Sequence, residues 1–354
     1  MNRIKSTIVV LVILSLILPV FSLPLVWGAE DSWTTLEPLP LERGGFNAIA
    51  FNEKIYVMKS NITYEYSLNS WSEKTAMLTP RYDFAITAYQ DKIYCIGGKN
   101  DSTPLGTNEV YDPVTDTWET KASMPTPRHG LDANVVNGKI YLISGSIPHH
   151  LFPDVEGTFE LTNITEVYDP VTNTWETRTP IPNPASYYAS GVVKNKIYII
   201  SESYTQIYDP KTDTWSFGTP PLYSVDMAGG AATTGVLAPE RIYIVGGRDS
   251  GLEGSGLEVP YTQIYNPIED SWSLGTSMQT PRYYFAVAVL DDQIYTIGGL
   301  TGAFVTVEQK NQNEQYTPLG YIPEFPSCIL FPILVTSTLV ILIFKTKLKK
   351  KVLE

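Results

Sequence analysis

Short apolar runs alternate with turn-forming residues through the middle of the chain, from about residue 32 to residue 318. Six runs share one pattern, in which Ile-Tyr is followed by two mostly apolar residues: Ile55–Met58, Ile93–Ile96, Ile140–Ile143, Ile197–Ile200, Ile242–Val245 and Ile294–Ile297. Apolar runs of this length, rich in β-branched and aromatic residues, predict buried β-strands. They recur every 38 to 57 residues, which indicates a repeated β unit.

Each predicted strand is followed by a second signature. A glycine pair ends three strands, at Gly97-Gly98, Gly246-Gly247 and Gly298-Gly299, and we interpret these pairs as structural positions that need positive φ. A turn of the form Tyr-Asp-Pro or Tyr-Asn-Pro comes next, beginning at Tyr111, Tyr168, Tyr208 and Tyr265, with looser versions at Tyr66 and Tyr316. A tryptophan then opens the last strand of the unit, at Trp71, Trp118, Trp175, Trp215 and Trp272. Proline fixes φ and an Asx side chain binds the nearby backbone, so these steps predict tight turns.

This unit resembles the Kelch repeat, whose marks are a glycine pair, a tyrosine and a tryptophan in these relative places. The resemblance covers about four-fifths of the chain. It implies an all-β, six-bladed Kelch-type β-propeller, in which each repeat forms one blade. Two repeats depart from the pattern, because Lys59-Ser60 and Ser201-Glu202 stand where the glycine pair belongs.

The sixth repeat lacks its last strand, while a strand of that kind precedes the first repeat. No tryptophan follows Tyr316, whereas the segment around Trp33 has the pattern of a final strand without its repeat. We therefore predict that this N-terminal strand completes the last blade beside residues 313–317 and removes an exposed sheet edge. The predicted blades are 43–80, 81–127, 128–184, 185–223, 224–281, and 282–320 with 32–42.

Two hydrophobic segments flank the predicted propeller domain, residues 30–320. Residues 1–29 have a basic start, an apolar run and small residues before an acidic stretch, as in a secretory signal peptide; an uncleaved anchor is the alternative. After a linker at 321–326, residues 327–344 are apolar enough for one transmembrane helix. The lysines of the basic tail, 345–354, predict a cytoplasmic C-terminus and a propeller outside the cell membrane.

The block Pro323–Pro326, with the hydrophobic segment and the basic tail, also resembles the PEF-type C-terminal sorting signals of archaeal surface proteins. That resemblance implies that a membrane transpeptidase removes the tail. A permanent membrane helix is the alternative interpretation.

Charge excludes one class of partner. The whole chain carries a net charge of −12, and residues 30–320 carry 18 basic against 35 acidic residues. Such a body repels phosphate backbones, so no nucleic acid partner is expected. The two cysteines, Cys95 and Cys328, fall in separate apolar segments and provide no disulfide framework.

Candidate ligand-binding residues fall into two groups. His149 and His150 lie in the longest insertion, 146–164, followed by Phe152, Asp154 and Glu156. Adjacent histidines are poorly placed to share one ion, so we predict a polar loop and no metal or other cofactor. Arg81, Arg128 and Arg282 recur where one blade leads into the next. Two roles are open for these arginines: hydrogen bonding within the scaffold, or binding of an anion at the rim of the channel.

No catalytic motif names a reaction, so we predict a binding or interaction module, with enzymatic activity undecided. Insertions at 99–108, 146–164, 248–261 and 300–312 predict a recognition surface for an extracellular protein or glycan, on a monomeric propeller. The alternative is an exported carbohydrate-active enzyme, such as a sugar epimerase. Copper-radical oxidases also use Kelch propellers, but Cys95 lies inside a strand and histidines are few, so that chemistry is not expected. Asn61, Asn100 and Asn163 fit the N-glycosylation pattern of an exported protein.

Overall fold

The structure, a computed structural model, describes residues 29–101, 103–149, 158–250, 256–302 and 306–322. Within these ranges the secondary structure consists of β-strands, and no helix there is long and apolar enough to cross a membrane. The predicted signal peptide up to residue 28, the membrane helix at 327–344 and the basic tail lie outside the described residues.

The strands follow one another in short steps along the chain. The first half comprises β1 (Ser32–Leu36), β2 (Asn47–Phe51), β3 (Lys54–Lys59), β4 (Ile62–Ser67), β5 (Ser70–Glu73), β6 (Ala85–Tyr89), β7 (Lys92–Ile96), β8 (Lys99–Asn100), β9 (Thr103–Pro104), β10 (Asn108–Asp112), β11 (Thr117–Thr120), β12 (Ala133–Val136), β13 (Lys139–Ile143), β14 (Ser146–Pro148), β15 (Phe159–Leu161), β16 (Thr165–Asp169) and β17 (Thr174–Arg178). The second half comprises β18 (Ala189–Val193), β19 (Lys196–Ser201), β20 (Tyr204–Asp209), β21 (Thr214–Gly218), β22 (Val225–Asp226), β23 (Gly229–Ala232), β24 (Ile242–Val245), β25 (Arg248–Asp249), β26 (Thr262–Asn266), β27 (Ser271–Gly275), β28 (Ala286–Leu290), β29 (Gln293–Ile297), β30 (Leu300–Thr301), β31 (Glu308–Gln309) and β32 (Asn313–Thr317).

Six four-stranded antiparallel sheets form the blades, which confirms the predicted all-β, six-bladed propeller. Blades 1 to 5 take their strands consecutively from the chain, in the orders β2-β3-β4-β5, β6-β7-β10-β11, β12-β13-β16-β17, β18-β19-β20-β21 and β23-β24-β26-β27. The first strand of each blade contacts the first strands of its two neighbours, and β28 contacts β2, so the ring is closed around a central channel.

The sixth blade is completed by the N-terminal strand, as the two matching deficits predict. Its order is β28-β29-β32-β1, with Trp33 opposite Tyr316 in the antiparallel pair β1–β32. Asp31 accepts the Tyr316 hydroxyl at 2.6 Å, and Asp116 accepts the Tyr111 hydroxyl at the same distance in blade 2. The segment that begins at Asp31 thus supplies the missing end of the repeat.

The core lies between neighbouring sheets and is built from the Ile-Tyr strands and the Trp–Tyr pairs. In blade 2 the Tyr111 and Trp118 rings lie 5.0 Å apart, and the Trp118 indole N–H donates to the Thr75 carbonyl of blade 1 at 2.9 Å. The glycine pairs are structural, as predicted: Gly97 has φ of 70°, and a Cβ there would lie 2.7 Å from the Arg128 carbonyl oxygen. L residues with side chains rarely tolerate this combination.

Candidate functional site

Antiparallel blades divide the propeller into two faces. The links between strands 2 and 3 and the links between blades lie on one face, which we call the loop face. The other two turns of each blade lie on the opposite face, which we call the turn face. All four long insertions predicted to form the recognition surface therefore belong to the loop face.

The long insertions are partly β-structured rather than irregular. β8–β9, β14–β15 and β30–β31 form short hairpins on blades 2, 3 and 6, and β25 of blade 5 pairs with β22 from the link between blades. Neighbouring insertions contact each other, since β9 packs on β14 and the Gly302 amide donates to the Glu258 carboxylate at 3.1 Å. Two ridges result, one over blades 2 and 3 and one over blades 5 and 6.

Blades 1 and 4 lie low between these ridges because their strands 2 and 3 are joined by two-residue turns. Glu202-Ser203 forms the turn of blade 4, and Ser60-Asn61 forms that of blade 1. Six blades in ring order place blades 1 and 4 on opposite sides of the channel. We call the low region formed by these two blades and the channel mouth between them the groove; among the described residues it crosses the loop face between the two ridges.

The floor of the groove is a ring of six residues with left-handed backbone conformation, one from each blade: Gly45, Asp83, Gly130, Tyr187, Met227 and Tyr284. Backbone hydrogen bonds join several neighbours in this ring, for example the Gly130 amide to the Asp83 carbonyl at 2.9 Å. Positive φ is costly for residues other than glycine, and such positions cluster at functional sites. The ring surrounds a small cavity of about 100 Å³ at the channel mouth.

Asp83 closes the channel mouth with two tyrosines from alternate blades. The Tyr187 hydroxyl donates to its carboxylate at 2.9 Å, and the Tyr284 hydroxyl donates to the other carboxylate oxygen. Burial and the Asp83 charge raise the pKa of both tyrosines, so both stay protonated donors. The Tyr284 ring covers Gly45, where a Cβ would lie 2.6 Å from a ring carbon, and such a contact excludes larger residues.

Two lysines, Lys99 and Lys59, lie near this carboxylate. The Lys99 ammonium lies 3.3 Å from Asp83 and 5.1 Å from the centre of the Phe159 ring, which also packs against His129. Burial and the nearby Lys99 lower the pKa of His129 to about 4, so its imidazole is neutral near pH 7. Burial also lowers the pKa of Lys59, from blade 1. The groove floor is thus a compact charged cluster rather than a set of scattered polar residues.

The channel below the mouth has a volume of about 320 Å³ and is lined mainly by small apolar residues. Asp132 is the acidic side chain of this lining, and burial raises the pKa of its carboxyl to about 6. Asn134 donates to the Ser190 hydroxyl at 3.0 Å beside it. The lining therefore offers one carboxyl whose charge changes between pH 5 and pH 7.

At the blade 4 end the groove deepens into a cleft of about 250 Å³. Its lining includes Tyr187, Tyr204, Tyr223, Glu202 and Asp226. Tyr204 and Tyr223 are 45% and 40% exposed, so their rings are available to a ligand. Tyrosine supplies apolar contact area and a hydroxyl together, which is why it is enriched at binding interfaces.

Glu202 forms no ion pair with a cation among the described residues, whereas Asp226 lies opposite Arg248 in the pair β22–β25, and the Arg248 charge partly offsets the effect of burial on the pKa of Asp226. Burial, followed by the charge of Asp226, raises the pKa of Glu202, and burial raises the pKa of Asp226. One Asp226 carboxylate oxygen is buried without a hydrogen-bond partner in this part of the structure. Glu202, without a cationic partner in a partly buried cleft, favours a positively charged ligand group.

The structure places Arg81, Arg128 and Arg282 inside the scaffold. All three are 0% exposed and form ion pairs with Glu109, Glu166 and Glu314 of the third strand of their blades. The Arg81 guanidinium also donates to the Gly97 and Cys95 carbonyls at 3.0 and 2.8 Å. This placement corrects the ligand-binding interpretation, since no external anion can contact these groups, and favours the scaffold interpretation.

The histidine loop is only partly described. His149 lies at the edge of the hairpin β14–β15, while His150, Phe152, Asp154 and Glu156 lie outside the described residues. Within the described ranges, no group of three or more His, Cys, Asp or Glu side chains could hold a metal ion. Asn61, Asn100 and Asn163 are all exposed, and their glycosylation stays a prediction.

Sequence reasoning missed the groove residues, above all Asp83, Tyr187 and Tyr284. One signal could have identified them: each lies two residues before the first strand of its blade, at the place that glycine holds in blade 1. A non-glycine residue at a repeated glycine position indicates a local requirement other than the fold.

Two family models match the chain. The FKB95 Kelch-repeats domain matches residues 78–225, and the Kelch motif matches residues 232–279. The human protein "Kelch repeat and BTB domain-containing protein 13" is 30% identical over 95 residues, which cover 23% of this chain and 21% of that protein. Alpha-scruin from Limulus polyphemus is 28% identical over 145 residues, covering 38% of this chain and 15% of that protein. The chain thus matches about a fifth or less of the length of these relatives.

A solved structure described as "Structure of YjhT" matches with a TM-score of 0.66 and 14% sequence identity, covering 77% of this chain and 95% of that one. This likeness supports the fold alone. The fold is a six-bladed β-propeller with a cleft on one face. With the repeat signatures and the family matches, the chain belongs to the Kelch-repeat family, whose propellers are typical protein-interaction modules.

Proposed function

We propose that the chain is a cell-surface Kelch propeller that binds a segment of a protein partner in the groove of its loop face. The observation that carries the proposal is the groove itself, which runs between the two ridges formed by the long insertions. The ridges supply side walls, and the Asp83–Tyr187–Tyr284 cluster supplies a rigid polar floor. An extended segment fits such a space without entering the channel.

The cleft at the blade 4 end indicates the chemistry of the bound segment. Glu202 and Asp226 suit an arginine or lysine side chain, and Tyr204 and Tyr223 suit its aliphatic stem and planar head. The net negative charge of the propeller domain also attracts a basic segment over longer distances. We therefore expect a partner that is basic where it meets blade 4.

Surface display forms the second part of the proposal. The signal-like residues 1–29 and the apolar residues 327–344 followed by lysines support export and retention at the membrane with the propeller outside. Such a location gives the loop face access to extracellular proteins.

Selection from a displayed peptide library, with a glycan array in parallel, tests the binding proposal. We expect Arg- or Lys-containing peptides to bind, and Glu202→Gln and Tyr204→Ala each to weaken binding by roughly tenfold, the size of one lost charged or aromatic contact. Glu73→Gln and Leu274→Ala are matched controls on exposed outer strands and should change nothing. Binding only to glycans, or peptide binding that the groove variants leave intact, would contradict the proposal.

A second candidate, an exported carbohydrate-active enzyme such as a sugar epimerase, is favoured by the charged cluster of Asp83, Lys99 and His129 at the channel mouth. Its test is the interconversion of anomers and of ring-carbon epimers in a sugar panel, followed by NMR exchange spectroscopy. Exchange that requires the protein and is lost in Asp83→Asn would favour the enzyme, and absence of exchange would favour the binding module.

A further inference from the structure

The turn face carries a repeated set of exposed aliphatic side chains. The tip of the turn between strands 3 and 4 is Leu68, Val114, Val171, Lys211 and Ile268 in blades 1 to 5, and Leu319 holds the corresponding place after strand 3 of blade 6. The five aliphatic tips are 97%, 82%, 77%, 68% and 65% exposed. In blades 2 to 5 the amide of the tip residue donates to the Asx side chain of the turn, such as the Val114 amide to Asp112 at 2.9 Å. The fold therefore uses the backbone of these positions and leaves their side chains in solvent.

A ring of basic side chains lies on the same face. The residue that opens strand 2 is Lys54, Lys92, Lys139 and Lys196 in blades 1 to 4 and Gln293 in blade 6, while Arg241 directly precedes strand 2 of blade 5. Several of them neutralise carboxylates of the face, as Lys92 does with Asp112 at 2.7 Å. The exposed acids Glu53, Asp91 and Asp291 lie in the adjoining turns. Opposite charges are therefore interspersed between the aliphatic tips.

Both ends of the propeller domain emerge at this face. The Gly320 amide donates to Glu30 at 2.9 Å, and the Ile322 amide donates to the Leu237 carbonyl at 2.6 Å. Ile322 and Val236 are 66% and 76% exposed and extend the apolar surface around the exit. Only the four residues 323–326 separate Ile322 from the apolar segment, and four residues span at most about 14 Å. With residues 327–344 in the membrane, as the proposed function has it, the turn face would lie close to the bilayer.

We propose that the turn face rests on the phospholipid bilayer, with its aliphatic tips at the headgroup boundary and its basic ring among the headgroups. This inference rests on the membrane retention in the proposed function and adds a fixed orientation to it. Interfacial protein surfaces combine apolar side chains with long basic ones, whose stems lie along apolar surface while their charges stay in water. The interspersed acids match a zwitterionic bilayer better than a strongly anionic one. The loop face then points away from the cell, toward the partner.

The test uses the full chain with Cys328→Ser, which leaves only the buried Cys95. An environment-sensitive fluorophore is attached at Val114→Cys or Val171→Cys on the turn face, or at Ser203→Cys on the loop face as the matched control. The labelled chains are reconstituted in phosphatidylcholine nanodiscs with and without spin-labelled lipid. We expect a blue shift and at least about twofold quenching at positions 114 and 171, and neither at position 203, because only a probe at the headgroup boundary meets the lipid label.

A further variant distinguishes direct contact between the aliphatic tips and the bilayer from a turn face that only lies near it. Leu68→Ser with Ile268→Ser should lower the quenching at position 114, because two of the seated tips become polar. Chain that enters the nanodisc but shows equal signals at positions 114 and 203 overturns the orientation while leaving membrane retention intact. Chain that the nanodisc fails to capture overturns membrane retention in the proposed function, and this inference with it.

Discussion

Closure of the ring by the N-terminal strand makes a stability prediction whose size follows from the contacts. The perturbation is Trp33→Ala in β1, compared with the equivalent Trp118→Ala in blade 2. Trp33 is 7% exposed, its ring lies 5.2 Å from the Tyr316 ring, and its indole N–H donates to the Thr276 carbonyl of blade 5 at 2.9 Å. Removing so large a buried side chain leaves a cavity as well as losing transfer free energy. The expected cost is about 3–5 kcal/mol.

The strand takes part in two of the interfaces between blades, which enlarges the effect of losing it. Trp33 binds blade 5, and the Glu37 carbonyl accepts the Trp71 indole N–H of blade 1 at 3.0 Å. Asp31 adds two contacts, to the Tyr316 hydroxyl and to the Thr276 amide, each at 2.6 Å. Asp31→Ala leaves the hydroxyl and amide without their acceptor and should cost about 1–3 kcal/mol. Deleting residues 30–41 should leave little folded protein, because whole domains are stable by only about 5–15 kcal/mol.

Urea unfolding followed by tryptophan fluorescence and circular dichroism measures these differences as shifts in midpoint at constant slope. Trp118→Ala should cost less than Trp33→Ala because Trp118 is only half-buried and its strand stays tethered by the chain on both sides. Removal of residues 319–322 should cost little. Equal, small losses from the two truncations, or a smaller loss in Trp33→Ala than in Trp118→Ala, would refute the reasoning about closure.

Three further predictions follow from the same geometry. Protease added to intact cells should degrade the propeller and leave the basic tail protected, whereas degradation only after lysis would contradict surface display. Asp132→Asn should raise the free energy of unfolding by up to about 3 kcal/mol at pH 7.5 and change it little at pH 4. The pKa of the Asp132 carboxyl is raised to about 6 in the folded protein, so the wild type loses stability as pH rises through that value. Urea titrations of both proteins at the two pH values measure this difference. Replacing residues 149–158 with a short Gly-Ser turn should weaken partner binding with a nearly unchanged melting temperature, since Phe159 and its packing on His129 are kept; a large fall in melting temperature would show that the loop is structural.

Most of the scaffold could be predicted from the sequence because its determinants are local and repeated. Ile-Tyr runs, Asx-Pro turns and glycine pairs each fix a strand or a turn within a few residues, and six copies reinforce one another. Closure of the ring could also be predicted by counting strands per repeat, because the final strand that is missing after Tyr316 is present at Trp33. The triplet Asp31-Ser32-Trp33 repeats Asp270-Ser271-Trp272, a further sign that this segment belongs to the last blade.

The groove could not be predicted in the same way because its residues meet only through the ring. Asp83, Tyr187 and Tyr284 belong to three different blades and are separated by as many as 201 residues, as in the Tyr284–Asp83 pair. Nothing local to any one of them shows that their side chains converge. The sequence shows that blades 1 and 4 have short loops. It does not show that these loops form one groove, because that depends on the two blades lying opposite each other in the ring.

The buried arginines show how a repeated residue can suggest a ligand when its partner is not recognised. Arg81, Arg128 and Arg282 each face a glutamate two residues before the repeat tyrosine. Where the arginine is replaced, by Ala185 in blade 4 and Ser224 in blade 5, the corresponding position is Gln206 or Gln263, and each glutamine binds the backbone of the link in its place. In blades 2 to 6 the arginine and the glutamate are thus present or absent together, as expected where a buried glutamate without its cation would be strongly destabilising. Blade 1 is the exception, with Arg43 at the arginine position and Tyr64 two residues before Tyr66. This internal pairing supports the assignment of the three buried arginines to the scaffold, and it leaves Glu202 as the cleft carboxylate for which the described residues supply no cation.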